Sequence, residues 1–127
     1  MTVPLAPASR PLRVFCLEDN PLIVFHIEQI LEDLGHAFGG AFDSFADLKA
    51  RWSEFASDCV LVDIDLADGR TGPDAAAWLA QRGVPALFVT GQDTIAAVHE
   101  SVVVAVVSKP IIPAALASAL TLVAQKL

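Results

Sequence analysis

Residues 59–72 read CVLVDIDLADGRTG. A short apolar run, Cys59 to Val62, stops abruptly at Asp63, and Asp65, Asp68, two glycines and Pro73 follow. An apolar run of this length without internal alternation, bounded by turn residues, predicts a strand buried on both faces. Such a strand carries Asp63 to the end of a sheet. Taken alone, the acidic loop after it suits a calcium cage, a phosphatase nucleophile, a phosphate-accepting site or an ordinary acidic turn. Its partners elsewhere in the chain have to decide.

The same alternation of strand and helix signals extends in both directions. Upstream, RVFCL (13–17) is a continuous β-type run. Asn20 then caps a helix and Pro21 suits its first turn. Ile23, Ile27, Ile30 and Leu34 mark one face of that helix and Gly35 ends it. HAFGGAF (36–42) is a weaker strand, and Ser44 with Asp47 opens a short helix to about Trp52. Downstream, Gly72-Pro73 starts a helix to Gln81, PALFV (85–89) is a third buried strand, and a short helical segment spans Asp93 to His99. VVVAVV (102–107) reads as the last strand and 114–126 as the last helix. Five βα units predict an α/β fold, a doubly wound parallel sheet with helices on both faces.

Composition narrows the function. The 127 residues suffice for one domain with a real core, and 54% are hydrophobic against 18% charged. Residues 1–11, MTVPLAPASRP, read as a flexible lead without a signal-peptide core, and 12–127 as the domain. The net charge of −7 leaves no basic stripe to displace counterions, so a nucleic-acid reader is excluded. The apolar pieces 102–107 and 111–127 fall short of the ~20 residues of a membrane span, so a soluble, cytoplasmic protein is expected. Cys16 and Cys59 sit in apolar runs and read as buried thiols. His26, His36 and His99 lack metal-ligand spacing.

In doubly wound sheets, ligands lie beyond the carboxyl ends of the strands. Those ends carry Glu18-Asp19, Asp63, Thr90 and Lys109. Paired carboxylates suit a hard divalent cation such as Mg2+. An aspartate nucleophile can form an acyl phosphate. A metal ion, an ammonium and a hydroxyl neutralise and orient the peripheral oxygens of a transferred phosphoryl group.

The pieces LEDNPLI, LVDIDL, GPD, VTG and SKP, in this order at successive strand ends, resemble the receiver domain of bacterial two-component response regulators from about residue 12 onward. The resemblance implies a flavodoxin-like five-stranded sheet of order 2-1-3-4-5. It implies Asp63 as phosphoacceptor, Asp19 as a direct Mg2+ ligand, and Glu18 holding the ion directly or through water. Asp65 would contribute its backbone carbonyl, Thr90 would hydrogen-bond the phosphoryl group, and Lys109 would pair with it. A cis Lys109–Pro110 bond is implied as well. The implied function is that of a stand-alone response regulator. It takes phosphate from a histidine kinase or histidine phosphotransfer protein and acts on a downstream protein. ALFVTGQ (86–92) further resembles a subgroup with a Phe-Ala-Thr-Gly motif, linked to general stress signalling; Val89 stands where that motif has alanine.

The chain departs from the family pattern in two places. Val106 occupies the position of an aromatic switch residue, and the Thr90–Lys109 segment is short, so the fourth helix is expected to be short or poorly ordered. Order and disorder of 91–104 is therefore expected to carry the switch. Phe25 lies opposite the apolar stripe of the first helix and is a possible partner contact. On the last helix, Leu116, Leu120 and Val123 point inward, whereas Ala115, Ala119 and Leu122 leave little polar face. A homodimer through the last strand and helix is one use of it. Asp68 and Asp74 read as solvated acids. The competing functions are a phosphorylation-independent adaptor on the same fold and a haloacid-dehalogenase-like phosphatase using Asp63-x-Asp65. An EF-hand-like calcium site fails because a strand precedes the loop, its glycine comes one position late, Ala67 replaces a ligand, and Asp74 stands in place of the final glutamate.

Overall fold

The computed structural model describes residues 10–127. All but the last two residues of the expected 1–11 lead lie outside that range. Five strands, β1 (Arg13–Leu17), β2 (Ala37–Phe42), β3 (Cys59–Val62), β4 (Ala86–Thr90) and β5 (Ala105–Ser108), form one parallel sheet of order β2-β1-β3-β4-β5. Five helices connect and close it: α1 (Pro21–Asp33), α2 (Phe45–Ala50), α3 (Gly72–Gln81), α4 (Asp93–Val98) and α5 (Pro113–Ala124). This is the flavodoxin-like arrangement that the sequence implies. No helix among the described residues is long and apolar enough to cross a membrane.

Alternate residues of each central strand feed two separate cores. Val14, Cys16, Cys59, Leu61, Leu87 and Val89 face α1 and α5. Phe15, Leu17, Val60, Val62 and Phe88 face the side occupied by α2, α3 and α4. Every residue of β3 and β4 is buried, so these runs need no polar alternation. Each fully buried Leu or Phe, such as Leu61 or Phe88, contributes about 2–3 kcal/mol of transfer free energy. Helix boundaries follow local chemistry. The Asn20 side chain accepts from the Leu22 N–H at the start of α1, and Gly35, at φ 85°, takes the chain out of it.

Three expectations change. The valine run does not begin the last strand: Glu100–Val102 form a 3₁₀ turn, and Val102 and Val103 pack into the α3-side core before the strand starts at Ala105. β-branched residues satisfy burial as well as pleating, and here burial decided. Ala119, placed outside, is buried among the inward residues of α5. β4 extends one residue further than expected, so Thr90 belongs to the strand. The fourth helix is short, six residues.

Register then positions the strand ends. Leu17 pairs with Val62 and Phe42, Val62 with Phe88, and Thr90 with Ser108. The residues that follow these positions gather along one edge. The winding reverses between β1 and β3, which puts Asp19 and Asp63 on either side of the switch point.

Candidate functional site: an acidic centre bridged by one lysine

Backbone bonds that continue the ladder fix the site residues. The Asp63 N–H donates to the Leu17 carbonyl at 3.0 Å, the Glu18 N–H to Phe42 at 3.1 Å, and the Lys109 N–H to Thr90 at 2.9 Å. The Lys109–Pro110 peptide bond is cis. Behind the acidic loop, the Gly72 N–H donates to the Ile64 carbonyl at 3.0 Å. A Cβ on Gly72 would stand 2.1 Å from the Asp63 carbonyl oxygen, so only glycine lets α3 start this close to the strand end.

From these anchors three carboxylates converge. Oxygens of Glu18, Asp19 and Asp63 lie within 4.8 Å of one another. The Lys109 Nζ donates to Glu18 Oε1 at 2.6 Å and to Asp63 Oδ2 at 3.0 Å. The second oxygens of Asp63 and Glu18 find backbone partners: Ile64 N–H donates to Asp63 Oδ1 at 2.8 Å, and Asp19 N–H to Glu18 Oε2 at 3.0 Å. One ammonium among three carboxylates leaves two negative charges unbalanced. Burial, with the charge of Asp63 added, pushes the Glu18 carboxyl above the usual carboxylate range, although Lys109 opposes this. Burial also works against the Lys109 ammonium, but its bonds to Glu18 and Asp63 outweigh that and raise it. The raised Lys109 and the surplus of carboxylates agree that the centre is short of positive charge. An all-oxygen donor set with this surplus fits a hard divalent cation.

The other residues singled out by sequence fall around this centre in different ways. Thr90 is fully buried, and its hydroxyl accepts from the Gln92 N–H at 3.0 Å rather than touching Asp63. The Asp65 carboxylate points away, accepting from Arg70 Nε at 3.0 Å and Gln92 Nε2 at 2.6 Å. The Arg70 bond, and then the Gln92 bond, hold it below the usual range. Phe25 is 62% exposed on α1, near Leu22 at 79%. A cleft lined by Ile23, His26, Lys109, Pro110 and Ile111 runs between α1 and the β5–α5 connection, so Lys109 is reached from that side.

Some contributors escaped the sequence reading. Asp68, read as solvated, accepts from the Phe45 and Ala46 N–H groups at 3.3 and 3.1 Å and from Thr71 Oγ1 at 2.7 Å. It thereby ties the acidic loop to the start of α2. Gln92 and Arg70 were missed too. Their partners lie up to 27 residues away, and exposed polar contacts leave no periodic trace. The cysteines are free and buried as expected, and burial raises the Cys16 thiol to about 12.

Comparison with known proteins agrees with this fold. The chain is 32% identical over 96 residues to the sensor protein GacS of Pseudomonas syringae, covering 73% of this chain and 10% of GacS. It is 34% identical over 85 residues to the phyllosphere-induced regulator PhyR of Methylorubrum extorquens, covering 65% of this chain and 32% of PhyR. The chain thus spans a third or less of the curated relatives it matches. The solution structure of the PhyR receiver domain of Erythrobacter litoralis superposes with a TM-score of 0.80 at 26% identity, covering 91% of each chain. These PhyR neighbours agree with the subgroup resemblance seen around Thr90. The response regulator receiver domain model matches residues 14–121, and the chain belongs to that family of two-component signalling domains.

Proposed function

We propose that Asp63 accepts a phosphoryl group from a phosphohistidine on a histidine kinase or histidine phosphotransfer protein, and that the phosphorylated domain acts through protein–protein contact. A carboxylate oxygen of Asp63 attacks phosphorus and the phosphorus–nitrogen bond breaks. The imidazole, already protonated on its other ring nitrogen, takes the bond's electron pair and leaves as neutral imidazole, and an acyl phosphate remains. Slow attack of water on that phosphorus returns the carboxylate and inorganic phosphate. The domain is an acceptor, not an enzyme turning over a separate substrate.

The observation that carries this reading is the Lys109 ammonium shared between Glu18 and Asp63 inside a cluster of three carboxylates. Mg2+ held by Glu18, Asp19, Asp63 and the Asp65 carbonyl would supply the missing positive charge for the incoming phosphoryl oxygens. Lys109 exchanges one carboxylate oxygen for a phosphoryl oxygen, and Thr90 turns its hydroxyl from Gln92 to another. The phosphatase alternative loses support, because Asp65 is committed to Arg70 and Gln92 and faces away from Asp63.

The donor protein docks over the exposed Leu22 and Phe25 and the cleft beside Lys109. PhyR of Bartonella quintana is an anti-anti-sigma factor, and by likeness the output of this chain is contact with a downstream protein in cytoplasmic stress signalling. Val106 on β5 and Leu122 on α5, 37% and 45% exposed, suit a homodimer through the last strand and helix. The test is incubation with acetyl phosphate, with and without Mg2+, followed by intact mass. Wild type gains one phosphoryl group only with Mg2+, and Asp63→Ala gains none. Equal uptake by both proteins would refute the reading.

A further inference from the structure

Beside the acidic centre, the exposed side chains of Asp65 and Arg70 and the half-buried side chain of Gln92 close into a ring that the phosphoacceptor chemistry does not use. Arg70 donates through Nε to Asp65 Oδ1 at 3.0 Å and through Nη2 to Gln92 Oε1 at 3.1 Å. Gln92 completes the ring through Nε2 to Asp65 Oδ2 at 2.6 Å. Both ends of the Gln92 amide, both Asp65 oxygens and two guanidinium nitrogens are thereby engaged. The ring joins the loop after Asp63 to the turn after β4.

That turn sits directly on Thr90. The Thr90 hydroxyl oxygen accepts from the Gln92 backbone N–H at 3.0 Å, which holds the Thr90 side chain turned toward that turn. On the other side, Ser108 Oγ donates to Asp93 Oδ1 at 2.8 Å, one residue before Lys109. Gln92 and Asp93 thus pin one short turn to both neighbouring strand ends. Arg70 and Asp65 are about half exposed, 56% and 50%, so their pair is screened and individually weak. A contact of this kind opens readily.

We propose that Asp65, Arg70 and Gln92 form a polar latch that holds the turn after β4 closed, keeps the Thr90 hydroxyl on the Gln92 N–H, and so withholds it from Asp63. The inference rests on Thr90 as the phosphoryl ligand of the proposed function. It supplies a device for a chain that has Val106, partly exposed, on β5 and no tyrosine. Arg70 and Gln92 are positioning residues in this scheme; they act through Thr90 and touch no reacting atom.

The test compares wild type with Arg70→Ala, an exposed substitution that leaves both cores intact, using residue-resolved amide exchange and acetyl phosphate uptake with Mg2+. The Gln92 amide is expected to exchange about two- to fivefold faster in the variant, the effect of losing a surface ion-pair network. High salt should bring wild type toward the variant, a response that simple packing would not give. Phosphoryl uptake should quicken by a similar factor. Unchanged exchange at Gln92 overturns the latch, whatever happens at Asp63. Faster exchange with unaltered uptake overturns its control of Thr90. If exchange responds but neither protein takes up phosphate, the Asp63 reading fails, and with it the role given to Thr90.

Discussion

The two ends of the sheet use polar side chains in opposite ways. At the amino end, His36 Nδ1 accepts from the Leu12 N–H at 2.9 Å and Asp58 Oδ2 from the Arg13 N–H at 2.8 Å. Each side chain there completes a backbone donor that the ladder leaves over, and the edge is finished. At the carboxyl end, Glu18, Asp19 and Asp63 crowd around a single ammonium, and after Asp63 and Glu18 have taken the Ile64 and Asp19 N–H groups negative charge is still left over. Polar groups that serve the backbone close a fold. Polar groups left with charge to spare mark where a ligand belongs.

Glycines at the two ends give the largest test of this contrast. Gly72 abuts the Asp63 carbonyl, whereas Gly83, at φ 75°, faces open space. Gly72→Ala forces α3 off the strand end and should cost about 1–3 kcal/mol or more in urea unfolding. Gly83→Ala pays only for its backbone conformation, about 1 kcal/mol. A Gly83 variant as damaged as the Gly72 variant would erase the distinction.

Removing the single cation comes next. Lys109→Met should slow phosphoryl uptake from acetyl phosphate by about 10- to 100-fold, the effect of losing a charge stabiliser at the reacting group. It should also tighten Mg2+ binding by calorimetry, because three unbalanced carboxylates attract the ion more than two. Weaker Mg2+ binding in the variant would show that Lys109 organises the carboxylates rather than competing for them.

The amino end predicts a pH effect without any ligand. Burial lowers the His36 pKa from its ordinary 6.5, so the folded state binds the proton less well than the unfolded chain. The stability contribution is complete above 6.5 and is lost as the pH falls below it. Protonation turns the Nδ1 acceptor into a donor facing the Leu12 N–H. Urea midpoints between pH 7 and 5 should drop for wild type and flatten in His36→Asn. The smallest stability effect belongs to Phe25→Ala, within about 0.5 kcal/mol for an exposed side chain. It should slow transfer from a phosphohistidine donor while leaving uptake from acetyl phosphate alone.

Much of this was legible in the residues. β1, β3 and α3 fall where the apolar runs and the Gly72-Pro73 start place them, because buried parallel strands need unbroken hydrophobic runs. Glu18, Asp19, Asp63 and Lys109 meet because a parallel sheet brings successive strand ends to one edge. The valines at 102 and 103 were misread because hydrophobicity signals burial and leaves the backbone conformation open. The side-chain direction of Thr90, the reach of Asp68 to α2 and the ring around Gln92 depend on long-range polar geometry. No spacing rule encodes it.

The central claim is that one carboxylate of the acidic loop is the acceptor. Borohydride reduction of the acetyl phosphate-treated protein, followed by peptide mass, reads that position directly. The account predicts reduction at Asp63 alone, dependent on Mg2+ and absent when Asp63 is alanine. Reduction at Asp65 or Asp68, or none at all under conditions where Mg2+ binds, would contradict it.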